Sequence, residues 1–212
     1  MDRENAWALV KEYSKSQSLR RHSIAVGAFM RGYAHKVGER MRKLGDISML
    51  HELDWDVCSS EQRRPQFGAA LLRARGYLDV IVRVILSHGN HTGVSGDSVI
   101  GRALFAMDEL SGFVTAVALV RSTKSLSDTD SRAVCKKMKY KTFAPNVSRY
   151  DLAQGAQGAQ GAQGLGVALD KLIEFVAESL KPVASHLGLD TGGTSGNEQP
   201  RRTLAGLNSA TT

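Results

Sequence analysis

His51 and Glu52, adjacent in the chain, can offer an imidazole nitrogen and a carboxylate oxygen to one ion if the backbone lets neighbouring side chains converge. Three more residues of ligand type, His22, His88 and Asp108, fall on or beside the apolar faces of three other predicted helices. An inward-facing histidine taken alone is more often a hydrogen-bonded core residue than a ligand. The set carries more weight, because helices that each direct one rigid side chain inward are how helical bundles build metal centres. His91, beyond the break at Gly89, can approach the same space from a loop.

The elements that must position these residues read as helices. Ala6, Trp7, Leu9, Val10 and Tyr13 recur at helical spacing behind Asp2, a capping residue. Ser14 to Ser18 interrupt that helix, and a second runs from Leu19 to Gly38 with His22, Val26, Phe29, Met30, Tyr33 and Val37 on its inner face. Gly45 and Asp46 begin a short helix that ends near His51-Glu52, where the apolar period is lost and the backbone can be irregular. Glu52, Asp54 and Asp56 can alternatively be read as a solvated acidic edge pairing with nearby arginines, the reading preferred for Asp56, and Asp54 is not assigned as a ligand. Pro65 suits the first turn of a helix that stops at Gly76.

Asp79 is the expected cap of a helix in which Ile81, Val84, Ile85 and His88 share one face. Ser95 or Asp97 is expected to cap a long helix from about Ser98 to Arg121, with Asp108 at the border of its apolar stripe. A carboxylate there needs a cation or hydrogen-bond donors. Asp128 or Asp130 starts a helix carrying Lys136 to Lys141, which Pro145 ends. Four Ala-Gln-Gly units fill Ala153 to Gly164, and a glycine at every third position predicts a flexible loop. A last helix carries the stripe Leu169, Leu172, Ile173, Val176, Leu180, Val183, Ala184 and Leu187. No stretch alternates with period two. The reading is an all-α, single-domain bundle over 1–189, with a disordered tail over 190–212.

Composition narrows the function classes. With 42% hydrophobic and 23% charged residues in 212, the chain can bury one sizeable core. Two distant cysteines make no disulfide framework, and no stretch reaches the ~18 to 20 apolar residues of a membrane span, so an intracellular, cytoplasmic protein without membrane partners is expected. The net charge of +7 comes from clusters at Arg20-Arg21, Arg40 to Lys43, Arg63-Arg64 and Lys136 to Lys141. Such a field favours phosphorylated partners. Aromatic residues, at 6%, do not interleave with these clusters, which argues against nucleic acid. The oligomeric state is left open.

The order His22, then His51-Glu52, then Asp108 resembles the HD-domain superfamily of metal-dependent phosphohydrolases. The segments Leu19 to Val26, Leu50 to Asp54, Leu86 to Gly89 and Phe105 to Phe113 are similar to a bacterial-type subfamily described as predicted HD-superfamily hydrolases, and the likeness covers about residues 3–189. The resemblance implies an HD-type helical bundle in which His22, His51, Glu52 and Asp108 bind a divalent metal (Mn, Co, Ni, Mg or Zn), with Glu52 and Asp108 catalytic. Water activated by the metal would attack the phosphorus of a small phosphate ester such as a nucleotide. His88 and His91 would be additional ligands or phosphate contacts, and Arg21 and Arg64 would neutralise the phosphate. Two positions depart from the family pattern: Glu52 replaces an aspartate, and Arg64 stands before Pro65 where a histidine is usual. They define an alternative, a catalytically impaired HD-fold protein that binds a phosphorylated ligand or a protein partner.

Overall fold

Eight α-helices and no strand occur among residues 3–37, 48–157 and 165–190, the parts of the chain that the computed structural model describes. They are α1 (Arg3–Tyr13), α2 (Gln17–Val37), α3 (Gln66–Ala74), α4 (Asp79–Leu86), α5 (Val99–Leu119), α6 (Ser131–Met138), α7 (Arg149–Gln157) and α8 (Leu169–Leu180). The chain is all-α, as its periodicity predicts. No helix among the described residues is long and apolar enough to cross a membrane.

The central element is α5. Ile100, Leu104, Met107, Leu110, Phe113, Val114 and Val117 are all buried along it, and α2, α4, α6, α7 and α8 pack around it. A helix apolar on nearly every side belongs in the middle of a bundle. Ile24, Phe29 and Met30 of α2 and Leu172, Ile173, Val176 and Leu180 of α8 join this main core. A smaller core gathers Ala6, Leu9 and Val10 of α1, Met49, Leu50 and Leu53, Leu72 of α3, and Val82 and Ile85 of α4. The candidate ligands lie where the two meet: His22 and Asp108 project from helices of the main core, and His51 and Glu52 follow a 3-10 turn of the smaller one, Ser48–Leu50.

Several local expectations are corrected. The α2 helix starts at Gln17, because Ser16 caps it: its hydroxyl accepts from the Leu19 amide at 3.2 Å and its carbonyl from Arg20 at 3.2 Å. Pro65 is the cap residue before α3. Asp79 lies inside the first turn of α4, where its carboxylate takes Arg73 Nε at 3.0 Å, and Ser98 itself caps α5 by accepting the Gly101 amide at 2.9 Å. Asp130, one of the two expected starts, does cap α6, through the Ala133 amide at 2.8 Å. That helix ends at Met138, so Lys139 to Lys141 lie beyond it. The last helix changes to a 3-10 turn at Lys181–Leu187, next to Pro182, and keeps Val183, Ala184 and Leu187 buried.

The Ala-Gln-Gly run begins as packed helix. Ala153 to Gln157 belong to α7, and Ala156 is fully buried. Gly155 abuts α5 so closely that a Cβ there would stand 2.6 Å from Ala106 Cα. The amides of Leu165 and Val167 then donate to the Gly155 and Ala156 carbonyls at 3.0 and 2.9 Å. A short-residue repeat thus supplies the close helix contact that a bulkier sequence would prevent. The expected cap at Asp2, the stop at Gly38, the turn at Gly45-Asp46, the rest of the repeat at 158–164 and the tail from 191 lie outside the described residues.

Gly155→Ala is therefore expected to destabilise the fold by about 1–3 kcal/mol, the usual cost of overpacking, although alanine is the better helix former. Chemical denaturation of the variant beside wild type measures this; equal or greater stability would show that α7 does not pack on α5 in this way.

Candidate metal centre

The backbone around His51 is a series of overlapping tight turns. After Ser48–Leu50, amides bond three residues back: His51 to Ser48, Leu53 to Leu50, Trp55 to Glu52 and Val57 to Asp54, at 3.1–3.2 Å. In a three-residue turn adjacent side chains fan out widely, and the three acids of this segment reach three different places. Glu52 turns to the candidate ligands. Asp54, 2% exposed, accepts the Gly68 amide in the first turn of α3 at 2.7 Å. A Cβ on Gly68 would come within 3.1 Å of the Asp54 Cγ, so the glycine makes room for that bond. Asp56 accepts the amides of Lys15 and Ser16 at 2.6 and 2.9 Å, just before α2. The solvated acidic edge expected at Asp56 is corrected: Asp54 and Asp56 accept backbone amides at the starts of α3 and α2, and neither forms an ion pair with an arginine among the described residues.

These anchors bring four donor groups together. His22 Nε2 lies 3.1 Å from His51 Nε2, 3.0 Å from Asp108 Oδ1 and 3.5 Å from Glu52 Oε2, and His51 Nε2 lies 3.1 Å from Asp108 Oδ1. One ligand atom from each of the four residues falls within 4.8 Å of all the others. His51 is wholly buried, while His22, Glu52 and Asp108 keep 20%, 16% and 22% of their side chains exposed, so the set is sheltered with an open side. The set can hold a metal ion: two imidazoles and two carboxylates suit a borderline divalent cation, and such separations are those of ligands with bonds of ~2.1 Å to one ion.

The tautomer of His51 follows from its other nitrogen. Nδ1 lies 3.0 Å from the Ser48 carbonyl, which can only accept, so Nδ1 carries the proton and the Nε2 lone pair faces the set. His88 does the same with its Nδ1, which donates to the Ile85 carbonyl. Its ring stands edge-on to His51 with centroids 5.2 Å apart, beside the four residues and not among them. His91 is farther out; its Nε2 donates to the Arg64 carbonyl.

The two arginines singled out in the sequence lie in different pockets. Arg64 stacks on Trp55, its guanidinium carbon 4.0 Å from the ring centre, in a pocket of about 130 Å³ lined also by His51, Glu52, His88 and His91. Arg21 lines a separate pocket beside His22.

Electrostatics reflect the crowding. Burial works against a charge on His22, but Glu52, Asp108 and Glu109 outweigh it and raise its pKa to about 9. Burial likewise opposes ionisation of Asp108, and His51 and His22 overcome it, holding that carboxyl well below its ordinary range. Without an ion, His22 is therefore an imidazolium whose Nε2 proton is shared between Asp108 and His51. Burial, with His51 adding to it against Asp108, lowers His88. Glu109, which sequence reasoning passed over, is pushed up to about 7 by burial and then by Asp108 and Asp151. Its only signal in the sequence was adjacency to Asp108.

Comparison of the chain with models of known protein families, with curated proteins and with solved structures finds no match.

A ligand site built on a protonated histidine must lose that proton to take a cation. Metal binding should accordingly release a proton between pH 6.5 and 9 and tighten as pH rises. Calorimetric titration with Mn or Zn in buffers of different ionisation enthalpy reads this directly, and heats independent of buffer would contradict it. In the metal-free protein the sign for stability is opposite. His22 has a folded pKa raised above the ordinary 6.5, so its contribution is complete below pH 6.5 and lost as pH climbs through about 9.

Proposed function

We propose that this chain is a metal-dependent phosphohydrolase of the HD type, acting on a small phosphate ester such as a nucleotide. The observation that carries the reading is the convergence of His22, His51, Glu52 and Asp108, four donors from three separate parts of the chain, beside a pocket lined by Arg64 and His88. The two imidazoles fit Mn, Co, Ni or Zn better than Mg, which prefers oxygen ligands. When bound, the ion lowers the pKa of a water and polarises the phosphoryl group.

The residues around it have distinct tasks. His51, locked by the Ser48 carbonyl, offers a fixed lone pair. Asp108 and Glu52 balance the charge of the cation, and their two carboxylates offset the cost of burying it. Arg64 at the pocket mouth presents a planar guanidinium to a substrate phosphate, already oriented by Trp55. His88, neutral through burial, has its Nε2 free to contact a phosphate oxygen as donor only on protonation, and otherwise to receive a proton.

Glu52 in place of the family's aspartate favours a second reading, an HD-type protein that binds a phosphorylated ligand without turning it over. One set of measurements separates the two. Wild type equilibrated with Mn, Co, Ni or Zn is expected to hold stoichiometric ion, His51→Ala to lose it, and a phosphatase screen to find metal-dependent turnover that Asp108→Ala reduces by at least about 100-fold, the upper end of what outer-shell changes alone cost. Failure of wild type to bind any of these ions rejects the enzyme reading. Metal binding without turnover, with activity gained in Glu52→Asp, would establish the second.

A further inference from the structure

We propose that the pocket between α2, α5 and the Lys181–Leu187 turn is a second ligand site, for a small anion carrying an apolar group, whose acidic head pairs with Arg21 and accepts the Nδ1 hydrogen of His22. The pocket measures about 230 Å³ and shares no lining residue with the Arg64 pocket. Ala25, Ala116, Leu119 and Leu187 give it apolar walls, and Arg21 and His22 supply its cationic and polar groups.

Two unmet demands meet there. Arg21 has a buried Nε without a hydrogen-bond partner, and among the described residues no carboxylate pairs with its guanidinium. Gly188, with a positive φ of 78°, lies over it; a Cβ there would stand in ordinary contact with Nη1, at 3.4 Å. A guanidinium held in a partly apolar cleft without a counter-charge is costly unless an anion joins it. The second demand is that of His22. Nε2 of this ring faces the other candidate ligands, so Nδ1 must carry a hydrogen whenever Nε2 serves a metal. His51 and His88 direct their Nδ1 hydrogens to the Ser48 and Ile85 carbonyls, whereas Nδ1 of His22 has no acceptor among the described residues and is open to solvent. Ligating histidines nearly always have one. An anion seated beside Arg21 supplies it.

The apolar walls select among anions: a bare inorganic ion would leave them wetted, and an anion with a short alkyl or ring body covers them. Because both nitrogens of one imidazole are then used, anion and metal binding are linked, and each changes the affinity for the other by the same factor. The site itself does not depend on the phosphohydrolase reading, since the anion is expected to bind the metal-free chain.

The test uses the full chain without metal. Hexanoate and hexyl phosphate are titrated calorimetrically, with hexanamide as the neutral counterpart, while nitrogen NMR follows the histidine rings. At least one of the two anions should saturate and move the His22 Nδ1 resonance, with hexanamide about tenfold or more weaker; the tighter of the two identifies a carboxylate or a phosphate as the natural head group. Arg21→Gln should weaken binding by about tenfold or more, the size of a lost charge-assisted bond. Ala116→Phe fills the space without touching Arg21 and should abolish binding, and Lys171→Gln, which removes an exposed charge on α8, should leave it unchanged. Absence of saturable binding by both anions, binding that survives Arg21→Gln or Ala116→Phe, or binding lost with Arg64→Gln in place of Arg21→Gln would each overturn the proposal.

Discussion

A carboxylate taken out of water must be met by positive charge or by donors, and the arrangement of this bundle around Asp108 follows from that demand. Asp108 lies on α5, the helix enclosed by the others, where its own backbone offers nothing: the amides of the helix interior are already bonded, and the nearby Ser111 hydroxyl donates to the Asp108 carbonyl at 3.2 Å and not to its carboxylate. Donors have to come from elsewhere in the chain. The donor is His22 of α2, 3.0 Å away, while His51, from the turn after Leu50, brings its Nε2 to 3.1 Å with its proton on the far nitrogen. Two imidazoles this close to each other cannot both carry charge cheaply, so one proton or one cation between them serves best. The charge balance that holds these side chains together is thus one that a cation can also satisfy.

Holding His51 in reach requires the segment from Ser48 to Cys58 to be anchored to its neighbours, and two of its own acids do this. Asp56 ties it to the amides that precede α2, the helix that carries His22. Asp54 ties it to the first turn of α3, with charge-assisted bonds to backbone amides that are otherwise orphaned at a helix start. Burial raises the Asp54 carboxyl, and the Gly68 amide works against that rise. The spacing Glu52, Asp54, Asp56 would put all three on one face of a strand; in tight turns it distributes them, one to the ligand set and two to anchoring.

Much of this was legible in the sequence, and the parts that were not have physical reasons. The inward faces of α2 and α5 were plain from apolar spacing, and so were His22 and Asp108 on them. The convergence of His51 with Glu52 was legible only as a possibility, because it depends on turn geometry that leaves no periodic trace. Asp54 and Asp56 were misread for the same cause: an acid between polar neighbours looks solvated until the amide it serves, 14 or more than 40 residues away, is known. The Ala-Gln-Gly run misled in the other direction. Glycine lowers helix propensity, but at Gly155 the missing side chain permits contact with Ala106 that tertiary packing rewards. Helix starts were off by one to three positions at α2, α4 and α5: at α2 and α5 several Ser and Asp residues compete and only the bonded one counts, and at α4 Leu78 precedes the helix with no side-chain cap.

The remaining asymmetry concerns how firmly each ligand is held. His51 is fixed by a carbonyl behind it, and Asp108 by the helix it stands on. Glu52 reaches in from a turn on a longer side chain and stands 3.5 Å from His22 where Asp108 stands at 3.0 Å. An aspartate at this place would fall short by about one carbon–carbon bond, ~1.5 Å, unless the turn moved inward. The glutamate therefore matches the backbone as it lies. Among the described residues, the far nitrogen of His22, unlike that of His51, has no protein acceptor, so its ring orientation is set from the side of the other candidate ligands. Any occupant of the Arg21 pocket would complete the shell at that weakest point, which makes His22 the residue through which events outside the ligand set can reach it.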